Sequence, residues 1–312
     1  MQENSTLVGG VDIGKSFLDL ALAPSGQHRR VHNTAEGWSM AIAWFRAFGV
    51  TRIGMEASGG YERPLVRALR EHGFEVSLHQ AMQVRHFGRM FLKRAKNDKL
   101  DARLIAGFTA HYRDDRPAPD PRLQALADHL VFIDQLAEDI ARLKTRLEHI
   151  HDPRIAGLVE ADIAALKRRQ RSERQLLEAR VRQSADLARR LDLLTSIPGI
   201  GTPTALALVI GMPELGRISR EQAAALIGLA PFDRDSGQHK GRRHIAGGRA
   251  RPRKALCAAA LPAAHRWNSQ LVALYRRLKA AGKPHKLALV ACARKLIVFA
   301  NTVLKKDQPW TP

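Results

Sequence analysis

The chain has almost no cysteine. Cys257 and Cys292 are the two among 312 residues, too few for a disulfide scaffold or a cysteine-based zinc cluster. It also lacks long apolar runs, and none approaches the roughly 18 residues of a membrane span. The start, MQENSTLVGG, has no charged region leading into an apolar one, so no signal peptide is expected. Walker-type loops, Rossmann fingerprints and Ser-His-Asp patterns are missing, and the histidines show no metal-ligand spacing. Acidic residues are scarce: 30 Asp and Glu stand against 51 Lys and Arg, a net charge of +21. Excess Lys and Arg also serves solubility, but a field of this sign favours a polyanion, above all nucleic acid. The expected protein is soluble and intracellular, with no membrane partner, and its length suits about two domains.

Residues from Leu7 to about Gln80 alternate between strand and helix patterns. LVGGVDIGK and SFLDLALA are apolar runs, the second closed by the turn Pro24-Ser25-Gly26, and RRVHNT completes an antiparallel meander. AEGWSMAIAWFRAFG has helical spacing up to Gly49. TRIGMEA reads as a buried strand, YERPLVRALREHG as a helix ending on Gly73, and FEVSLHQ as another strand. The order strand-strand-strand-helix-strand-helix-strand is that of the ribonuclease H-type α/β fold. From Leu123 to Ile150 apolar residues recur at spacings of three and four, a heptad-like seam that breaks at His151-Asp152-Pro153. A second helical run passes through Leu158, Ile163, Leu166, Leu177, Val181, Leu187 and Leu191. Together they predict a long helical hairpin, which either packs on itself or serves as an oligomerisation arm. The remainder is helical with Gly- and Pro-rich breaks, and the tail KKDQPWTP is expected to fray.

Four carboxylates draw attention. Asp12 lies in the first strand among glycines, and Glu56 ends the next core strand before Ala57-Ser58-Gly59-Gly60. Asp98 and Asp101 in KNDKLDARLIAGF share one helix face by their spacing of three. Such a pair alone is often a solvated surface feature. With a core-strand acid and a strand-end acid it forms the carboxylate set of ribonuclease H-type nucleases. Hard Mg²⁺ ions take oxygen ligands and leave room for phosphate oxygens. Two of them about 4 Å apart stabilise both the attacking and the leaving oxygen at phosphorus. Arg85, Arg89, Lys93, Arg94, Lys96, Lys99 and Arg103 form a basic run beside this set, suited to a phosphate backbone.

LLTSIPGIGTPTALALV has the form of a helix-hairpin-helix, with Gly199 and Gly201 in a tight turn whose N–H groups bind phosphate without reading bases. A plain Gly-rich turn between packed helices reads the same way. Downstream, Arg234, Lys240, Arg242, Arg243, Arg249, Arg251, Arg253 and Lys254 crowd a loop holding Ser236-Gly237. Ser-Gly in a loop is commonly just a turn. Among guanidinium groups the same serine is also suited to attack a phosphodiester.

These segments in this order resemble the DEDD insertion-sequence transposases of the IS-one-ten type. GVDIGKSFLDLAL, MEASGGYERPL, KNDKLDARLIA, SIPGIGTPTALAL and GLAPFDRDSGQHKGRRHIAGGRARPRKAL carry the likeness over nearly the whole chain. Gly14 stands where the family often has Ser, and Ser58 where it often has Thr. The resemblance implies a RuvC-like catalytic domain at 1–120, a coiled-coil hairpin at 121–192 and a mainly helical transposase domain at 193–312. It further implies that Asp12, Glu56, Asp98 and Asp101 bind Mg²⁺ and that Ser236 is the nucleophile joining DNA covalently. Its partners would be donor and target DNA, a structured guide RNA pairing with both, and further copies of the chain, a dimer assembling to a tetramer with a composite site. The location implied is bacterial cytoplasm, at the nucleoid.

Three other readings are open at this stage. A Holliday-junction resolvase would use the same carboxylates with water as nucleophile. GVDIGKS also resembles the first phosphate loop of actin-like sugar kinases, whose second acidic motif and nucleotide-binding Gly pair have no counterpart here. A basic scaffold would package nucleic acid without cutting it.

Overall fold

The computed structural model describes residues 7–90, 98–113, 120–232, 241 and 244–311, with backbone alone at 98 and 99. The chain divides into two compact units, Met1–Pro117 and Ala118–Pro312.

The first unit is built on a five-stranded sheet in the order β3-β2-β1-β4-β5. Strands β1 (Val8–Ile13), β2 (Phe17–Ala23) and β3 (His28–His32) form the expected antiparallel meander, and β4 (Arg52–Glu56) and β5 (Glu75–His79) run parallel to β1. Helix α1 (Ala35–Ala47) joins β3 to β4, and α2 (Arg63–Glu71) joins β4 to β5. The period-two alternation of the strands separates two faces. Val11, Ile13, Leu18, Leu20, Ile53 and Met55 point to one, where they meet Ala41, Ile42 and Phe45 of α1 and Leu65 and Leu69 of α2 in a dry core. Each of the larger side chains among them contributes about 1.5–3 kcal/mol by leaving water.

The other face is built from small and acidic residues, and it carries α3 (Ala81–Met90) and α4 (Asp98–His111). Ala21 packs there with Ala102 and Ala106 of α4. The approach is close: a methyl group on Gly10 would sit 2.3 Å from the Ala106 amide nitrogen and 2.5 Å from the Ala102 carbonyl oxygen. One on Gly54 would sit 1.8 Å from Thr109 Oγ1. Arg52, at the start of β4, donates to the Ala110 carbonyl (3.3 Å), and Arg113 lies 3.7 Å from Glu75 at the start of β5. Helix α4 therefore runs antiparallel to the parallel strands, and its first turn reaches toward their C-terminal ends.

The second unit opens with a hairpin of α5 (Pro121–Leu147) and α6 (Pro153–Arg182). Asp120 and Asp152 cap them by accepting from backbone N–H groups, each followed by Pro at the first helical position. His129 of α5 bonds Glu173 of α6 at 2.8 Å and meets Arg180 at 3.2 Å. Seam residues Leu123, Leu126, Ile133, Leu136 and Ile140 are buried as the spacing predicts. The second run differs from expectation: α6 stops at Arg182, and Leu187 and Leu191 belong to a separate helix, α7 (Ala185–Thr195). Arg122 pins the start of that helix to α5 through Asp186 (2.9 and 3.0 Å). Leu158, toward the hairpin tip, is 57% exposed.

Behind the hairpin, α8 (Thr202–Gly211) is the core helix, buried from Thr204 through Ile210. Around it stand α9 (Arg220–Ile227), a ribbon of β6 (Pro231–Phe232) and β7 (His244–Ile245), α10 (Ala250–Pro262), a π-helical turn (Ala263–Trp267), α11 (Ser269–Ala280) and α12 (His285–Lys306). Among the described residues, α12 alone has the length and mean composition to cross a membrane, although Arg294 and Lys295 interrupt its apolar run. Half of that stretch is buried, and Cys292, Leu296, Ile297 and Ala300 belong to the unit's core. Up to Thr311 the tail is docked, contrary to expectation: the Trp310 N–H donates to Ser196 Oγ (2.8 Å), and its ring meets Phe299 at 4.3 Å.

Two glycine substitutions should act with opposite signs. Gly10→Ala forces a methyl into the α4 backbone and is expected to lower the stability of the first unit by about 1–3 kcal/mol or more. Gly157→Ala, at an exposed position inside α6 where an added methyl meets nothing within 4 Å, should raise stability by about 0.5–1 kcal/mol. Thermal and urea unfolding of the two variants check both.

Candidate active site

The registers of the five strands align one row of polar side chains across the face that carries α4. Arg30 of β3 pairs with Asp19 of β2, Asp19 with Asp12 of β1, and Glu56 of β4 with His79 of β5. Val11 pairs with Met55, which makes Asp12 and Glu56 neighbours on the parallel strands. The order across the sheet is Arg30, Asp19, Asp12, Glu56, His79. Both flanks of the row are hydrogen-bonded. Asp19, only 4% exposed, accepts from Arg30 through both oxygens (2.7–3.1 Å) and lies 2.7 Å from His28. His79 is buried and bonded to Thr109 Oγ1 of α4 at 2.8 Å. The middle pair, Asp12 and Glu56, is half-buried at the C-terminal ends of its strands.

Helix α4 supplies the upper wall. Its Ala102 and Ala106 rest on Gly10, two residues before Asp12. The backbone of Asp98 lies one turn ahead of Ala102, and Asp101 is half-buried on the first turn. The fold thus directs all four sequence-predicted acids to the same end of the sheet, although the Asp98 side chain lies outside the described residues. Among the described residues no three His, Cys, Asp or Glu side chains approach closely enough to hold a metal ion. The donors offered are carboxylate oxygens, the ligand type a hard divalent cation takes.

Sequence reasoning missed two buried acids. Asp19 shares the strand alternation of Asp12 and stands where a core strand tolerates only a paired charge; that phase was its readable signal. Glu62 braces the loop that leaves Glu56. Its Oε2 accepts from the Ser58 N–H (3.0 Å), the Ser58 hydroxyl (3.0 Å) and the Gly60 N–H (2.9 Å). Burial pushes its carboxyl pKa up, but these donors outweigh burial and hold it below the ordinary range.

Of the expected phosphate contacts, Arg85 and Arg89 stand one turn apart on the exposed face of α3. Lys93, Arg94, Lys96, Arg242, Arg243 and the Lys99 side chain lie outside the described residues, as does Ser236, whose segment joins β6 to β7. Three further arginines make contacts within the second unit. Arg249 forms a double ion pair with Glu214 (2.6 and 2.7 Å) and donates to the Gly211 carbonyl (2.8 Å). Arg253 donates to the carbonyls of Ile227 and Gly247, and Arg251 lies 3.5 Å from Asp134 of α5. Burial raises the pKa of Asp134 more than Arg251 and Lys254 lower it. Gly199 has φ of +103°, and a methyl there would lie 2.4 Å from Ala263 Cβ of the π-helical turn. Gly201 is exposed at the N-cap of α8 with an ordinary φ of −84°.

The family model for DEDD transposases of the IS110 kind matches residues 9–152, and the one described as "Transposase IS116/IS110/IS902 family" matches residues 191–276. Over nearly the full length, the chain is similar to a pilin gene-inverting protein of Moraxella bovis, at 23% identity over 316 residues and 96% of each chain. The pilin gene-inverting protein of Moraxella lacunata is 24% identical over 317 residues, again 96% of each.

Glu62 offers a test of the loop geometry by acid titration. A carboxyl held below its unfolded value adds stability above that value, near pH 4.3, and loses it as pH falls through the folded one. Glu62→Gln should therefore be less stable than the parent at neutral pH, with the gap closing on acidification below about pH 4. Melting temperature against pH for the two proteins measures it, and parallel curves would contradict the bracing role.

Proposed function

Starting from a chain that belongs to the IS110-type transposases and acts on DNA, we propose an RNA-guided recombinase that cuts and rejoins DNA through a covalent serine linkage, with Mg²⁺ as cofactor. The observation that carries this reading is the adjacency of Asp12 and Glu56 on one face beneath the first turn of α4. The sheet order and the helix laid across it support a RuvC-like, ribonuclease H-type first part. Asp12, Glu56, Asp98 and Asp101 would hold Mg²⁺, which when bound supplies Lewis-acid stabilisation of charge on the scissile phosphate.

Ser236 is the proposed nucleophile. Its hydroxyl oxygen bonds to phosphorus as the ester bond to the leaving sugar oxygen breaks, and that oxygen takes up a proton. The phosphoserine ester keeps the bond energy of the one broken, so attack by a DNA hydroxyl reverses the step and reseals the strand without ATP. Exposed Arg85 and Arg89, with Lys93, Arg94, Lys96, Lys99, Arg242 and Arg243, would track phosphate backbones. Arg249, Arg251 and Arg253 would join them from the base of the serine segment, and the Gly199–Gly201 turn would act as a helix-hairpin-helix clamp.

In functional terms the chain divides at 1–120, 121–192 and 193–312, into a carboxylate part, a coiled-coil hairpin and a serine part. The hairpin would join copies into a dimer and then a tetramer, with carboxylates and serine drawn from different copies. A structured guide RNA would select donor and target by pairing, while the protein holds the backbones; the net charge of +21 suits that division. The Moraxella relatives are named for inverting a gene, and inversion demands the same cutting and exchange at two sites. Its place of work would be the bacterial chromosome in the cytoplasm.

The test is an SDS-resistant adduct assay with protein, element-derived RNA and labelled donor and target DNA in Mg²⁺. Ser236→Ala should bind DNA and form no adduct. Asp12→Ala should slow adduct formation by about a hundredfold or more, the scale of several kcal/mol of lost charge stabilisation. Cleaved DNA without adduct would make water the nucleophile and overturn the serine assignment.

A further inference from the structure

One row beyond the carboxylates, toward the C-terminal end of β1, the same face of the sheet carries an aromatic pair that the proposed cutting chemistry does not use. Phe17 precedes Asp19 by two residues, so the two share a face about 6.6 Å apart along the strand. Phe17 pairs across the ladder with His32, and the rings lie 4.6 Å apart, tilted by 39°. The Arg30 guanidinium stands 5.7 Å from the centre of the Phe17 ring while bound to Asp19. Phe17 is 43% exposed, and His32 is exposed beside it.

Hydrogen bonds fix the backbone beneath the pair. The Gly14 N–H donates to the Phe17 carbonyl (2.9 Å), and the Asn33 N–H to the Ser16 carbonyl (2.9 Å). Asn33 Nδ2 donates to the Gly14 carbonyl (3.0 Å), and its Oδ1 accepts from Trp38 Nε1 (2.7 Å). Phe17 thus follows a hydrogen-bonded turn, with Lys15 exposed in that turn and Arg30 exposed on the same face of the sheet. Exposed rings beside cationic groups are what an unpaired nucleotide requires: a π-face for the base and positive charge for its phosphates.

The geometry points to a base-stacking platform: Phe17, backed by His32 and clamped by Arg30, receives an unpaired DNA base next to the carboxylate row. Duplex DNA keeps its bases stacked on one another, so the platform selects a melted strand and holds it in register with Asp12 and Glu56. Its position beside the cut rests on the carboxylate reading; the binding itself does not. Binding is therefore measured without divalent cations, so that a failure here is distinct from a failure of the cutting chemistry.

The experiment uses the full chain with single-stranded oligothymidine, a duplex of equal length, oligouridine, and an oligothymidine bearing one 2-aminopurine. Phe17→Ala should bind oligothymidine about tenfold more weakly than the parent, bind the duplex unchanged, keep its melting temperature and lose the 2-aminopurine quenching. Phe17→Tyr, which keeps a ring, should restore affinity and quenching. Unchanged oligothymidine binding by Phe17→Ala would overturn the platform. Equal losses on single strand and duplex would reduce Phe17 to a structural role. A Phe17-dependent preference for oligouridine would make the occupant RNA and overturn the assignment to DNA.

Discussion

The first unit depends on a close contact between helix and strand that only small residues allow. Gly10 and Gly54 leave no side chain beneath α4, and Ala21, Ala102 and Ala106 fill the remaining space with single methyl groups. A helix resting on larger residues would ride higher and meet the strand ends at another level. The stripe thus does more than pack: it sets where Asp101 and the backbone of Asp98 arrive relative to Asp12 and Glu56. Little apolar area is buried on this face, so the opposite face, with Phe45, Leu18 and Ile53 fully enclosed, supplies most of the hydrophobic stabilisation.

Much of this was legible in the sequence. The strands and the helices α1, α2 and α4 of the first unit fall where alternation and helical spacing place them, because a half-buried element writes its period into its own residues; α3 reads only as a basic run. The acids at 12, 56, 98 and 101 stood out as charges in or beside such elements. What stayed hidden depends on partners distant in the chain. Glu62 reads as an ordinary helix-start acid until the turn at Ser58–Gly60 folds over it. Asp19 required the register that sets Arg30 opposite it. The break between α6 and α7 carried no Pro or Gly signal, and the docking of Trp310 on Phe299 arises from tertiary contact alone.

The arginine-rich stretch after β7 shows why a count of basic residues is a poor map of a binding surface. Arg249 and Arg253 gather carbonyl oxygens from the ends of α8 and α9, and Arg249 also takes Glu214. Such groups hold the turn around Gly247 and Gly248 against α9, where Gly248 approaches the Gly228 backbone closely. Guanidinium suits this task because its planar fork serves several acceptors at once. Charge at these positions therefore shapes the protein's own frame, and the same groups keep only their remaining donors for an external anion.

The direction of α4 has an electrostatic consequence. Aligned peptide dipoles place a partial positive charge of about half a unit at a helix N-terminus. That end of α4 is turned toward the acid row, while Arg30 stands at the row's opposite flank. The mutual repulsion of neighbouring carboxylates is thus offset by the fold itself from two sides, before any cation arrives. Asp12 and Glu56 are set side by side by the pairing of their strands.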